Sequence, residues 1–228
     1  LDLANTSLGK LITLNGGTAI NSTGTSGALT AGITLTADST LAAASGATLT
    51  VGNTAITGGY GLTIGRGTNL GTVTLTSNAV SSTGSYTGTT TVIAGATLDL
   101  KIAAASPTFN SSYEAAGTVI IEPTTIHKSI ALGGTGANLN LPVSLFASGG
   151  KFADGLANII IGSTGSAGLS VTGTAAFMDS VTLLTGADLT INSGASVTTS
   201  QANGQLVLAA TGHFLNLAGA SAVQATDA

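Results

Sequence analysis

The chain has 228 residues, with 33 Gly, 3 Pro and no Cys, and its 9 acidic and 5 basic residues give a formal net charge of −4. Charged residues make up only 6% of it, against about 25% in an ordinary globular domain, so Thr, Ser and Asn must supply much of the polar surface. Five basic residues cannot form the patch that neutralises a phosphate backbone, which argues against nucleic acid as a partner.

Apolar runs are short throughout the chain. Gly, Thr, Ser and Asn interrupt each run before it reaches the roughly 18 residues of a membrane helix, so the sequence predicts no membrane-spanning helix. The absence of Cys suits a protein that crosses an oxidising compartment. Residues 1–10 have neither an initiating Met nor the basic start and apolar core of a signal peptide, which indicates a processed chain or an internal part of a longer protein.

A three-residue unit recurs along the chain: a branched apolar residue, a small polar residue and another branched apolar residue. Side chains alternate between the two faces of a strand, so each unit places two apolar groups on one face and a polar group on the other. Each unit is therefore predicted to be a short, half-buried strand. The units are Ile12-Thr13-Leu14, Ile33-Thr34-Leu35, Leu49-Thr50-Val51, Leu62-Thr63-Ile64, Val73-Thr74-Leu75, Leu98-Asp99-Leu100, Leu139-Asn140-Leu141, Leu169-Ser170-Val171, Val181-Thr182-Leu183, Leu189-Thr190-Ile191 and Leu215-Asn216-Leu217.

The spacing of these units predicts the fold. They recur about every ten residues, with a stronger recurrence near twenty, which is typical of a solenoid. Glycine pairs such as Gly16-Gly17, Gly58-Gly59 and Gly133-Gly134 separate them and can form the corners of each turn. We therefore predict an all-β parallel β-helix of about ten coils that occupies residues 1–228 as a single segment.

The same alternation predicts the core. The apolar members of the better-defined units should point inward and stack as aliphatic columns. They are Leu49, Val51, Leu62, Ile64, Val73, Leu75, Leu98, Leu100, Leu169, Val171, Val181, Leu183, Leu189 and Ile191.

Helix is not favoured anywhere in the sequence. The best candidate is 145–157, but Gly149, Gly150 and Gly155 would each cost roughly 1 kcal/mol relative to Ala in a helix. We predict a loop there, with at most one helical turn.

Residues 101–128 depart from the pattern because they carry more charge and more rings than the rest of the chain. One interpretation is a loop or extra-helical excursion that presents a binding surface, since insertions in repeat folds usually lie on one face. The other is an irregular coil or flap that packs its rings on the flank of the solenoid. On the first interpretation, the candidate partner-binding residues are Tyr113, Glu114, Glu122, His127 and Lys128.

Catalytic, cofactor and metal motifs are poorly represented. No Ser has Gly at both positions of a nucleophile elbow, and His127 and His213 have no neighbouring His, Cys or carboxylate at metal-ligand spacing. Gly65-Arg66-Gly67 resembles a phosphate loop only faintly, because a strand unit follows it where a helix should begin. We predict no catalytic residue, no cofactor and no metal.

The C-terminal region carries a family resemblance. Residues 194–197, 203–210 and 213–220 resemble repeat segments of filamentous-haemagglutinin-type exoproteins, the large passengers of bacterial two-partner secretion. Residues 46–51, 95–100 and 186–191 are similar to coils of the same family and of autotransporter passengers. The resemblance covers most of the chain in style and about the last 40 residues in specific strings. The Asn-Pro motifs of the family's N-terminal secretion domain have no counterpart.

The resemblance implies a right-handed parallel β-helix that is exported across the outer membrane by a separate secretion partner or anchor. It implies a non-catalytic module of a bacterial surface adhesin or fibre, acting in attachment, aggregation or biofilm formation. Copies of the chain itself and cell-surface or matrix glycans would then be its partners. Two alternatives remain: a glycan-binding or ice-binding surface made of threonine ladders, and a polysaccharide-active β-helix enzyme.

Overall fold

The computed structural model describes residues 1–52, 55–76, 86–152 and 154–225. The protein is a right-handed parallel β-helix of about nine turns, which confirms the predicted fold class. Within the described residues, the helical structure is one 3₁₀ turn, Val143–Leu145. The strands are β1 (Ser7–Leu8), β2 (Ile12–Leu14), β3 (Thr18–Asn21), β4 (Ser26–Leu29), β5 (Ile33–Leu35), β6 (Ser39–Ala43), β7 (Thr48–Val51), β8 (Ile56–Thr57), β9 (Leu62–Ile64), β10 (Thr72–Thr76), β11 (Thr90–Val92), β12 (Thr97–Ile102), β13 (Tyr113–Glu114), β14 (Thr118–Pro123), β15 (Ser129–Leu132), β16 (Leu139–Leu141), β17 (Asn158–Ser163), β18 (Gly168–Val171), β19 (Thr174–Phe177), β20 (Val181–Thr185), β21 (Leu189–Ile191), β22 (Ser196–Thr199), β23 (Leu206–Ala210), β24 (Phe214–Asn216) and β25 (Val223–Ala225).

The chain forms two compact units. Unit 1 comprises residues 1–101 and 108–119, and unit 2 comprises residues 102–107 and 120–228. In unit 1 the strands form three parallel ladders, in the orders β1-β4-β7-β10-β12, β2-β5-β8 and β3-β6-β9-β11-β13. In unit 2 the orders are β14-β17-β20-β23, β16-β15-β18-β21-β24 and β19-β22-β25.

A turn such as β4-β5-β6 or β20-β21-β22 contributes one strand to each of three faces. Ser26 pairs with Thr48, and Ile159 pairs with Val181, so a turn advances by 22 residues at both places. This spacing agrees with the recurrence near twenty in the sequence. Between paired strands such as β4 and β7 the chain passes through both other faces, which is the usual crossover of a parallel pairing. The strands β15 and β16, which residues 133–138 join directly, are an exception.

The core consists of stacked aliphatic side chains, as the alternation predicted. All fourteen predicted core residues are buried, with exposed fractions of 0 to 2%. In unit 1, Leu49, Val73 and Leu98 occupy the same position on consecutive rungs of one ladder. In unit 2, Leu169 and Leu189 pair in the same way.

Polar side chains at the corners bind the backbone of the next turn. Asn5 Oδ1 accepts hydrogen bonds from the N–H groups of residues 25 and 26, at 3.0 and 2.9 Å. Asp38 Oδ1 accepts one from Gly61 N–H at 2.7 Å, and Asp188 Oδ1 accepts one from His213 N–H at 2.7 Å. Backbone donors need a partner where a strand ends, and a neighbouring Asp or Asn provides it. Asn5, Asp38 and Asp188 thus connect successive turns.

Two regions are irregular. Within 101–128 the chain has ten residues outside any strand, 103–112, and then contributes β13 and β14 to the ladders. Within 145–157 the structure has no helix beyond the 3₁₀ turn that ends at Leu145, which confirms the predicted loop for the residues described there. The rings of Phe146 and Phe152 stack in this loop, with centroids 5.2 Å apart, and both side chains are fully buried.

Replacing Leu189 with Asp should disrupt unit 2. Leu189 is fully buried between Leu169 and Phe214, so the new carboxylate would have no water and no counter-ion. We expect a loss of about 4 kcal/mol or more in the free energy of unfolding, or no folding at all. Thermal and urea unfolding measure the effect. Thr198→Asp, on the outer face of β22, is the control and should change the free energy by less than about 1 kcal/mol. An unchanged melting curve for Leu189→Asp would contradict the inward placement.

Close approach of the turns requires Gly186. A Cβ atom at this position would lie 1.9 Å from the backbone oxygen of Thr164. We expect Gly186→Ala to lower the free energy of unfolding by about 2 kcal/mol or more, because the backbone must shift. Gly173→Ala is the matched control, since the nearest atom to its Cβ would be 3.8 Å away, and it should be nearly neutral. Equal effects of the two substitutions in urea unfolding would contradict the argument.

Candidate functional site

Stacking places threonines in a column on the outer face of unit 1. Thr18, Thr40, Thr63 and Thr91 occupy consecutive rungs of one ladder, and Glu114 occupies the next rung. The four threonines are half-exposed, and rungs of a sheet lie about 4.8 Å apart. They form a row of hydroxyl groups, which we call the threonine column, and Arg66 Nη1 donates a hydrogen bond to Thr18 Oγ1 at 3.5 Å at one end of it.

A double row of threonines starts on another face of unit 1 but does not continue. Residues 48–50 and 72–74 place Thr-x-Thr pairs on two successive rungs, and Asp99 follows Thr74 on the next rung. Thr74 Oγ1 donates a hydrogen bond to Asp99 Oδ2 at 3.3 Å, and the two residues are only 8% and 7% exposed. Asp99 interrupts the row, and burial removes Thr74 from the surface. Ice binding needs a longer flat double row than this.

Unit 2 has a polar groove on the outer face of the ladder that contains β15, β18 and β21. Its volume is about 410 Å³. Ala131, Ser170 and Thr190 occupy consecutive rungs of its floor, and Asp188 lies just before β21. Hydroxyl groups and one carboxylate therefore converge on a concave surface, which is the usual form of a small-ligand site.

The loop between β15 and β16, residues 133–138, contributes to the lining of the groove. Asn138 fixes one end of this loop: its Oδ1 accepts hydrogen bonds from Ser129 N–H at 3.0 Å and Ser129 Oγ at 3.2 Å. Asn140 holds the loop at a second place. Its Oδ1 accepts a hydrogen bond from Ala137 N–H at 3.1 Å, and its Nδ2 donates one to the Ala105 carbonyl at 2.9 Å. The loop is therefore held in place before any ligand binds.

Asp188 and His213 form a pair at the groove. His213 Nδ1 lies 3.1 Å from Asp188 Oδ1, which also accepts the His213 backbone N–H. That backbone hydrogen bond, together with the imidazole, holds the pKa of the Asp188 carboxyl below its ordinary value. Asp188 is consequently ionised at neutral pH, and its contact with Nδ1 leaves Nε2 of the imidazole pointing away from it.

The sequence reasoning missed this site. Asp188 precedes the strand unit 189–191, and His213 lies just before β24. Aligning the two strands would have placed Asp188 and His213 on adjacent rungs. The two residues are far apart along the chain, however, and the strand units alone did not give their register.

The five residues that the sequence singled out are divided between the two units. Tyr113 is 1% exposed and packs edge-to-face against Phe109 in unit 1, with ring centroids 6.1 Å apart, so its ring is not at the surface. Glu114 is exposed in the same unit. Glu122, His127 and Lys128 belong to unit 2, where Glu122 is half-exposed and the other two are exposed.

Tyr113 belongs to a buried group of hydroxyl side chains in unit 1. Tyr86 Oη lies 2.5 Å from Thr90 Oγ1, which lies 2.8 Å from Ser111 Oγ. Burial raises the pKa of both Tyr86 and Tyr113. These neutral hydroxyl groups hydrogen-bond to one another, and none of them reaches the surface. Their role is therefore to stabilise the interior of unit 1.

Metal ligands do not gather in the described part of the chain, where no group of three or more His, Cys, Asp or Glu side chains could hold an ion. Within the same residues, no helix has the length and apolarity that crossing a membrane requires. No family model, curated protein or solved structure matches this chain.

Asp179 is a second unusual carboxylate of unit 2. It is fully buried, and its Oδ1 accepts a hydrogen bond from Gly155 N–H at 2.8 Å. Burial, with a smaller contribution from the negative charge of Asp154, raises the pKa of Asp179 to about 6. Oδ2 is buried and has no hydrogen-bond partner, so the ionised form is poorly compensated.

The pKa of Asp179 predicts a pH-dependent stability. The folded state holds this proton more tightly than the unfolded chain, where the pKa is near 3.8, so the wild type should gain stability as the pH falls from about 7 to about 4. Asp179→Asn retains an acceptor for Gly155 and removes the charge. It should be more stable than the wild type at pH 7.5, by on the order of 2 kcal/mol, and the difference should shrink towards pH 4.5. Urea unfolding across this range measures both proteins, and a pH-independent difference would contradict the assignment.

Proposed function

We propose that this chain is a non-catalytic, extracellular structural and adhesive module of a bacterial surface adhesin or fibre. In this proposal it acts in attachment and aggregation by shape and repetition rather than by chemistry. The parallel β-helix fold, the low content of charged residues and the resemblance to two-partner secretion passengers all support the proposal.

The threonine column is the observation that carries the proposal. Its four rungs carry hydroxyl groups, with Arg66 at one end and Glu114 at the other as the charged side chains next to it, and the whole chain has only 14 Asp, Glu, Lys and Arg side chains in 228 residues. Net charge is a main force that keeps proteins apart in solution, so a surface of this kind associates laterally more readily than a charged one. Copies of the chain on neighbouring cells are the partners that this surface fits.

The polar groove favours a second function. A carboxylate that orients an imidazole is the arrangement of a general base, and Asp188, which lines the groove, forms it with the exposed imidazole of His213 beside the groove. On this alternative the protein is a polysaccharide-active enzyme whose substrate lies across the rungs. The two functions are separable because aggregation uses the outer face of unit 1, and turnover would need His213.

Cell aggregation tests the proposed function. The 228-residue chain is fused to an outer-membrane anchor and displayed on a bacterium that does not aggregate. We expect settling and attachment to increase by about 5-fold or more over the anchor alone, because many weak contacts act together between two cells. Settling equal to that of the anchor alone would contradict the proposal.

A charge variant provides the matched comparison. Thr13→Glu, Thr18→Glu and Thr63→Glu change three exposed or half-exposed outer-face positions of unit 1, two of them in the threonine column, and take the net charge from −4 to −7. Aggregation of the triple variant should fall at low salt and recover near 0.5 M NaCl, where charges are screened. The triple Thr→Ser variant should aggregate like the wild type. Loss of aggregation in the Ser variant would contradict the proposal, and hydrolysis of a polysaccharide that requires His213 would favour the alternative.

A further inference from the structure

We infer that the groove of unit 2 binds a neutral glycan chain that runs across the rungs of the ladder, with Asp188 accepting from two adjacent sugar hydroxyls. This assignment names a ligand class for the adhesive module and rests on the proposed function only for its biological setting. Binding by the groove and aggregation by the threonine column can each succeed or fail alone.

Free hydroxyl groups line the floor of the groove. Ser170 and Thr190 lie on adjacent rungs and are half-exposed. In the described part of the chain, no hydrogen bond occupies either of these hydroxyls. A hydroxyl both donates and accepts, so it can pair with a sugar hydroxyl in either orientation. The rung spacing of about 4.8 Å is comparable with the length of one pyranose residue in an extended chain.

The Asp188 carboxylate can accept hydrogen bonds from the hydroxyl groups of a ligand. Both contacts from His213 reach Oδ1, at 2.7 and 3.1 Å, so the lone pairs of Oδ2 face no protein donor within the described residues. Two vicinal sugar hydroxyls can donate to one carboxylate, and hydrogen bonds to an ionised acceptor are the stronger kind. His213 fixes the orientation of the carboxylate, which reduces the entropy lost on binding.

The charge of the groove selects a neutral ligand. Asp188 is the single ionised side chain among the described residues that line it. A sulfated or uronic-acid glycan would bring anionic groups next to this carboxylate, and no Lys or Arg is among the described residues that line the groove. A peptide would need an apolar pocket or an accessible strand edge. The rungs on this face are paired on both sides of β18, and no aromatic side chain lines the groove within the described residues.

The walls of the groove are rigid enough to select a ligand. The loop 133–138 is held by Asn138 and Asn140, and its Gly136 has φ +93°, with no heavy atom within 4 Å of the place where a Cβ atom would lie. This corner projects from the ladder without a side chain beyond it, so a chain-like ligand can pass alongside. A single site made of such preorganised polar groups binds weakly. Many copies of it on one cell surface bind with a higher overall avidity.

Affinity electrophoresis of the full chain tests the inference. Native gels contain one neutral polysaccharide each (laminarin, mannan or dextran) or, in a fourth gel, the anionic polygalacturonate. We expect at least one neutral gel to retard the wild type and the anionic gel to leave it unretarded. Ser170→Tyr fills the floor of the groove and Asp188→Ala removes the acceptor, and each should weaken retardation by about 10-fold or more.

Control variants show whether a loss of retardation comes from the groove or from a loss of folding. Thr198→Tyr places the same ring on another outer face of unit 2 and should bind like the wild type. Melting temperatures of all variants establish that each is folded. Retardation by none of the three neutral polysaccharides, equal retardation of Ser170→Tyr and the wild type, or preferential retardation by polygalacturonate would each overturn the inference. Aggregation of displayed Ser170→Tyr reports on the proposed function separately, since that variant leaves the threonine column intact.

Discussion

Stacking of inward aliphatic side chains from successive turns is the interaction on which the rest of this protein depends. Leu49, Val73 and Leu98 illustrate it, because each occupies the same position one rung after the other. Burial of these side chains is the main favourable term, and it is obtained only when the ladders are in register. A shift of one residue would turn every inward side chain outward. The hydrophobic columns therefore fix the register of the whole stack, including every polar position on its outside.

The outer surface follows from that register. In units such as 62–64 and 189–191 the small central polar residue points outward, and stacking brings such residues into columns such as the one from Thr18 to Thr91. The unit 215–217 is an exception, because its register places Leu215 beside Thr190 in the outward column and Asn216 beside Ile191. The corners follow as well, because a side chain such as Asp38 lies beside the backbone N–H of the next turn. Asp38 and Asp188, which have no charged neighbour in the sequence, thus accept hydrogen bonds from the backbone of the next turn. The same principle placed Asp188 beside His213.

The groove exists because unit 2 departs from simple repetition. After β15 the chain reverses its progress along the stack: β16 pairs with β15 on the side opposite β18. The six-residue connection, 133–138, then lies against the outer face and closes part of it into a concave surface. Asn140 stabilises this arrangement through the Ala105 carbonyl and Ala137. An interruption of the repeat, rather than the repeat itself, provides the concavity in which polar side chains converge.

The amino-acid sequence alone determined the fold class, the turn length and the inward residues, because strand alternation and a recurrence near twenty are local patterns. It also located the irregular loop after Leu145, since three glycines there oppose a helix. Only the tertiary structure decided which polar residues meet. Asp188 and His213 become neighbours through register between turns, and Tyr113 is buried because Phe109 packs on it. Register depends on the sum of many side-chain contacts along the stack, which no short stretch of sequence contains.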